Sequence, residues 1–420
     1  MELYFDNVNT ETKGSYMLKK NIVVITCQGG SCHTAVCQAL SDYVSPDYNL
    51  IFKDLFKDIF HKHDISRILS FNKFSSTDIY DSLIYKNKLK STMPALISIT
   101  FKLLQIASSP IEKIIIEHIR PLKPDLIISV IPIFNGIFER VAQTLDIPFL
   151  LIPLDLDITQ VFLNDMGNTN YEKSYCTLPF DDIYLGHKNR NKLPFPSHHI
   201  SITGFPIRKQ FFAQFNKNET KERYHLPNDK PIITVLMGGA GSEMTLQIYK
   251  ELCTINTPLH AIICLGKNTK LRDIIEKTSP PPQLTYSLFN YTNDIASLIA
   301  VADVFITKPG PGSICEALYT NTPMILENSA GVLYWERFHI KFVQEHGFGE
   351  ILDNIHDLPT LLDKFLTDKN YHSNIVHNLE SFQKLKFGDH INSIIESILE
   401  KHSDYSTAEQ KYTNNQKNKP

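Results

Sequence analysis

Short β-branched runs that recur along the chain, each followed by a turn and a helical pattern, constrain this sequence more than any other feature. Residues 21–27 (NIVVITC) lead into Gln28-Gly29-Gly30-Ser31, and a helical pattern starts near His33, with Ala35, Ala39 and Leu40 on one face. Comparable runs lie at 126–131, 149–154, 232–237, 260–265, 304–307 and 323–326. Helical patterns separate most of them, and a strand that returns parallel to its neighbour needs such a crossover. The sequence therefore predicts an α/β fold with parallel sheets, not a sandwich.

At 420 residues the chain exceeds what one core ordinarily supports, so two domains are expected. The basic, proline-containing stretch 187–199 (HKNRNKLPFPSHH) reads as a linker, and the second half opens its own strand-loop-helix unit at Ile232. The expected division is an extension at 1–20, an N-terminal domain at 21–198, a C-terminal domain at 199–399 whose last helix can return to the first domain, and a disordered tail at 400–420. That tail carries almost no apolar residues. Ile51, Leu55, Phe56, Ile59 and Phe60 stand at helical spacing and predict amphipathic helices over the sheet. Further on, Lys86, Lys88 and Lys90 accompany Leu89 and Met93, a combination that could lie on an anionic bilayer.

Composition removes several classes. With 42 Lys+Arg against 45 Asp+Glu, net charge is -3, and nothing in the overall field calls for nucleic acid. The seven cysteines are odd in number and form no C-x-x-C pair, which argues against a disulfide framework and a zinc cage. The longest apolar stretch, 93–108, is interrupted by Lys102, too short for a membrane span, and the first 20 residues do not resemble a secretory signal. A cytoplasmic protein that touches a membrane surface peripherally is expected.

Three motifs carry chemistry. Gly238-Gly239-Ala240-Gly241 lies between a strand and a helix, where small residues let backbone N–H groups approach a phosphate, although such turns also serve sharp chain reversals. Lys308-Pro309-Gly310-Pro311-Gly312-Ser313 is a stiff loop that aims the positive end of the next helix at the sheet edge. Glu316 in that helix could accept from ribose hydroxyls, or be a helix acid placed by the dipole. His33, at the carboxyl end of the first strand, is a candidate general base, although a lone histidine is more often structural.

Together with Gly204-Phe205-Pro206-Ile207-Arg208 and Pro323-Met324-Ile325-Leu326, these segments resemble the MurG and monogalactosyldiacylglycerol synthase family over roughly residues 21–349. The resemblance implies a GT-B architecture: two Rossmann-like domains with parallel sheets facing across a cleft, donor on the C-terminal one and lipid acceptor on the N-terminal one. It implies an inverting transfer of a hexose or N-acetylhexosamine from a UDP-sugar to a lipid hydroxyl, most closely that of diacylglycerol, with no metal and no resident cofactor. His33 matches the base. Arg208, Gly238, Gly239, Gly241, Lys308, Gly310, Gly312, Ser313 and Glu316 fall on the donor side, and Gly30, Ser31, Cys32 and Asp155 on the acceptor side. Where the family has a Gly-Gln-Glu-x-x-Asn-like stretch that grips the donor sugar, this chain has Trp335, Glu336 and, in place of Asn, His339. An aromatic ring cannot reproduce the paired hydrogen bonds of an amide, so the sugar is left open. Two other readings share these residues: a transferase for another acceptor, such as a polyprenyl-linked sugar or a protein, and a GT-B protein that binds lipid or nucleotide without turnover.

Overall fold

The computed structural model describes residues 19–27, 31–60, 108–158, 162–163, 166, 171–181, 193–332 and 336–417, with side chains to 402. Lys86, Lys88, Lys90, Gly30 and Trp335 lie outside the described residues.

Two six-stranded parallel sheets carry the fold. The first contains β1 (Lys20–Thr26), β2 (Tyr48–Asp54), β3 (Leu126–Ser129), β4 (Phe149–Leu151), β5 (Ser174–Leu178) and β6 (Ile200–Ile202), in the order β2-β1-β3-β4-β5-β6. Helices α1 (Ser31–Tyr43), α2 (Ser108–Ile119) and α3 (Asn135–Leu145) accompany it. The second contains β7 (Ile232–Leu236), β8 (Leu259–Cys264), β9 (Leu284–Phe289), β10 (Val304–Thr307), β11 (Met324–Glu327) and β12 (Gly349–Leu352), in the order β12-β11-β10-β7-β8-β9. Its helices are α4 (Lys217–Arg223), α5 (Met244–Leu252), α6 (Lys270–Glu276), α7 (Ile295–Ala300), α8 (Pro311–Tyr319), α9 (Arg337–His346), α10 (Leu358–Thr367) and α11 (Lys369–Ser381). A last helix, α12 (Phe387–Lys417), follows. The strands read as continuous apolar runs because both faces are covered: Ile22, Val23, Val24 and Ile25 are each 0% exposed. Burying each such side chain contributes about 1.5 to 3 kcal/mol.

Three expectations change. Ile51 lies in a strand: YNLIFKD, aromatic and β-branched at its centre, pairs in parallel with β1 from Lys20↔Tyr48 to Thr26↔Asp54. Only the turn Leu55–Ile59 is helical, a π turn capped by the Asp54 side chain, which accepts from the Phe56 and Lys57 amides. The domain boundary moves past Ile202, since β6 closes the first sheet beside β5. The tail starts as helix: α12 continues beyond Leu399, and His402 and Tyr175 share a hydrogen bond of 2.9 Å.

The last helix returns to the first domain. Phe387, Ile391, Ile395 and Ile398, spaced by four, four and three, lie in the first core. Asn392 clamps the end of α1, accepting from the Ser45 amide at 2.8 Å and donating to the Tyr43 carbonyl at 2.7 Å. The two crossings between domains touch each other at Gly204, whose φ of +85° is open to glycine. A Cβ there would meet the Leu385 carbonyl oxygen at 2.0 Å. Tyr319 ties the crossings together, donating to that carbonyl at 2.6 Å and accepting from the Phe205 amide at 3.2 Å. Leu156 and Phe180, from the first domain, are buried in the core of the second, where Phe180 stacks on Phe342 at 5.7 Å. The two domains are therefore in direct contact.

Candidate active site

The loops expected on the donor side are shaped by backbone. Gly238 and Gly241 have φ of +85° and +79°, and a Cβ on Gly241 would come within 2.2 Å of the Leu265 carbonyl oxygen. A Cβ on Gly238 would stand 3.1 Å from Lys308 Cε, so the glycine leaves room for Lys308 to lie over the loop. Gly239 sits between them in the same turn. After β10, Pro311 takes the first position of α8, where its fixed φ suits the helix and no N–H is lost. Gly310 caps that helix, and Gly312 and Ser313 fall in the first turn, whose amides have no intrahelical partner.

Across the cleft, Cys32 at the start of α1 packs against both cores, its Sγ 3.4 Å from where a Gly312 Cβ would stand. Ser31 opens α1. Burial pushes the Cys32 thiol up to about 12, helped by Glu316 and Asp155 and opposed by the Gly312 amide and Lys308. The thiol is thus neutral, and it sits where two helix N-termini and a lysine converge. Such a place favours an anion.

Arg208 and Glu316, each expected against the nucleotide, pair with one another at 3.0 Å. Burial raises the Glu316 pKa and Arg208 draws it back down. The guanidinium lies 5.2 Å from the Phe211 ring centroid, and its Nε is buried without a hydrogen-bond partner among the described residues.

His33 lies in the first turn of α1, half-buried, its Nε2 3.7 Å from Cys27 Sγ. Burial lowers its pKa to about 4, so the ring is neutral at pH 7 and able to take a proton. Asp155, after β4, accepts from the Leu156 and Asp157 amides at 2.8 and 3.2 Å. It also reaches across the cleft to His339 Nε2 at 2.5 Å. Spacing alone does not reveal that pairing: the two residues are 184 positions apart, and the available sign was the histidine standing where an amide is expected. Glu336 occupies the position before the first turn of α9, without a side-chain capping hydrogen bond. Among the described residues no group of three or more His, Cys, Asp or Glu side chains could hold a metal ion, and no helix is long and apolar enough to cross a membrane. Two open hollows, one lined by residues 214–219 and one by Asp42, Lys209, Gln210, Phe212 and Ala213, contain none of these side chains.

Two Rossmann-like domains, each built on a six-stranded parallel sheet, define the GT-B fold. The family model described as glycosyltransferase family 28 C-terminal domain matches residues 232–374. The chain is 24% identical over 371 residues to a processive diacylglycerol beta-glucosyltransferase of Bacillus licheniformis, covering 86% of this chain and 91% of that protein. A protein of the same name from Bacillus subtilis is 22% identical over 93% of this chain and 98% of its own. Among solved structures, MurG of Acinetobacter baumannii aligns with a TM-score of 0.58 at 13% identity, over 90% of this chain and 99% of that one. A UDP-glucosyltransferase from Polygonum tinctorium aligns with a TM-score of 0.59 at 10% identity, over 92% and 100%. These structural likenesses establish the fold. The resemblance to the MurG and diacylglycerol glycosyltransferase family is borne out, and the chain is a glycosyltransferase.

Proposed function

We propose that this enzyme transfers a hexose, or an N-acetylhexosamine, from a UDP-sugar to the hydroxyl of diacylglycerol, with inversion at the anomeric carbon. The observation that carries the reading is that Lys308, the first turn of α8, and Arg208 paired with Glu316 of the same helix lie on one side of the cleft, opposite α1 with its neutral His33. The names of the curated relatives support the lipid acceptor.

In this reading Lys308 and the Gly312 and Ser313 amides hold the diphosphate and stabilise it as it departs. Glu316 takes the ribose hydroxyls, held in place by Arg208. His33 removes the acceptor hydroxyl proton while the oxygen attacks the anomeric carbon, opposite the bond to the leaving phosphate. The charge that builds on the leaving group is met by fixed dipoles and an ammonium group, which supply the stabilisation that a metal supplies elsewhere. The protein binds the bilayer peripherally, through the apolar and lysine-rich stretch containing Lys86, Lys88 and Lys90. Release of UDP, measured across UDP-hexoses with diacylglycerol vesicles, tests the function. Release that depends on the vesicles supports it; no release with any sugar and any lipid would refute it.

A further inference from the structure

His339 is wholly buried, and both ring nitrogens face oxygens: Nδ1 lies 2.8 Å from the Pro309 carbonyl and Nε2 2.5 Å from Asp155 Oδ1. A carbonyl only accepts, so Nδ1 carries a hydrogen. A neutral ring has no second N–H, and its Nε2 lone pair would then face a carboxylate lone pair. The pair therefore holds one further proton between Nε2 and Oδ1. Burial by itself would lower the His339 pKa. The charge and hydrogen bond of Asp155 outweigh it, with help from Glu336 and the Pro309 carbonyl, and raise it above 6.5. Among the described residues, the other ionisable groups that act on this cluster are Cys32 on α1, Cys315 and Glu316 on α8, and Lys308. Both thiols are pushed up by burial and stay neutral, and Glu316 is engaged by Arg208.

The partners of His339 belong to opposite walls of the cleft. Pro309 lies between Lys308 and Gly310 in the donor loop, whereas Asp155 is fastened by two amides to the loop after β4. We propose that His339 is a positioning residue of the transfer reaction: by donating one N–H to Pro309 and the other to Asp155, it locks the donor loop and the acceptor-side loop into one geometry across the cleft. The amide that the family places here is replaced by a side chain whose grip depends on a proton. Deprotonation as the pH rises removes the Nε2 hydrogen and sets lone pair against lone pair, so the lock weakens toward alkaline pH. The reaction to which this applies rests on the function proposed above; the lock itself does not.

The test compares wild type, His339→Gln, Asp155→Asn and the double variant, all checked for cooperative melting. Amide hydrogen exchange at one pH should rise in both 150–158 and 307–314 in each single variant, and no further in the double variant. In the transfer assay, kcat should fall roughly tenfold to a hundredfold, since a misplacement of about 1 Å costs on that order, while the donor KM stays within about threefold. Wild-type kcat should decline as the pH rises beyond the raised His339 value, and the decline should vanish in both single variants. Exchange that rises only within α9, additive losses in the double variant, or an unchanged pH profile in His339→Gln would overturn the proposal. A wild type that transfers nothing to diacylglycerol would refute the substrate reading, and the exchange comparison would still decide whether the lock exists.

Discussion

The two walls of the cleft are made differently. On the proposed donor side the second sheet has the full doubly wound order, and its loops are set by glycines at positive φ, Gly238, Gly241 and Gly266, with Lys308 laid over Gly238. On the proposed acceptor side the described chemistry is in side chains, Cys32, His33 and Asp155, set at the start of a helix and the end of a strand. Backbone amides recognise what all nucleoside diphosphates share, whereas side chains can be retuned one at a time. Under the proposed function, one wall is thus suited to a constant donor group and the other to a particular acceptor.

The comparison breaks most readily at His33. His33→Ala should lower kcat by about a hundredfold or more with UDP affinity unchanged, because general-base catalysis contributes on that order. Equal turnover would remove His33 from the mechanism. Its depressed pKa sets a companion expectation: kcat/KM should lose activity only as the pH falls toward about 4, not toward 6.5, since the ring stays neutral between them. A limb near 6.5 that disappears in His33→Ala would show a solvated ring.

On the proposed donor wall, Glu316→Ala removes the proposed ribose-binding carboxylate and leaves Arg208 buried without its partner. UDP binding should weaken by about 1.5 to 3 kcal/mol, with kcat at saturating donor much less affected. Calorimetry showing normal UDP affinity would place the nucleotide elsewhere. Gly241→Ala forces a Cβ against the Leu265 carbonyl at positive φ, and the strain of about 1 to 3 kcal/mol should appear as a lower Tm together with weaker UDP binding. A Tm equal to wild type would mean that the loop is not rigid. The smallest expected effect is that of EDTA: most activity should survive it. Abolition by EDTA with rescue by a divalent cation would show that dipoles and Lys308 do not suffice.

Seven strands of the fold were legible because a parallel strand covered on both faces is a continuous apolar run, as NIVVITC and IITVL are. Strand β2 was not: with Leu50 to Lys53 all half-exposed at the sheet edge, YNLIFKD followed by LFKDI carries apolar positions that fit either period. Strands β5 and β9 escaped for a similar reason, since Ser174–Leu178 and Leu284–Phe289 interleave hydroxyl residues among apolar ones. In the loops, Gly238 and Gly241 were readable because a backbone at positive φ leaves a mark on the local sequence. The Arg208–Glu316 and Asp155–His339 pairs left none. Each joins residues more than 100 positions apart, and only the closed fold brings them together.

The most direct measurement is the anomeric configuration of the product. Purified enzyme, given a carbon-13-labelled UDP-α-hexose and diacylglycerol vesicles, should yield hexosyl-diacylglycerol whose anomeric proton and carbon show a β linkage, with one UDP released per sugar transferred. An α linkage, or UDP released as free sugar accumulates without glycolipid, would contradict attack by a lipid hydroxyl from the His33 side of the cleft.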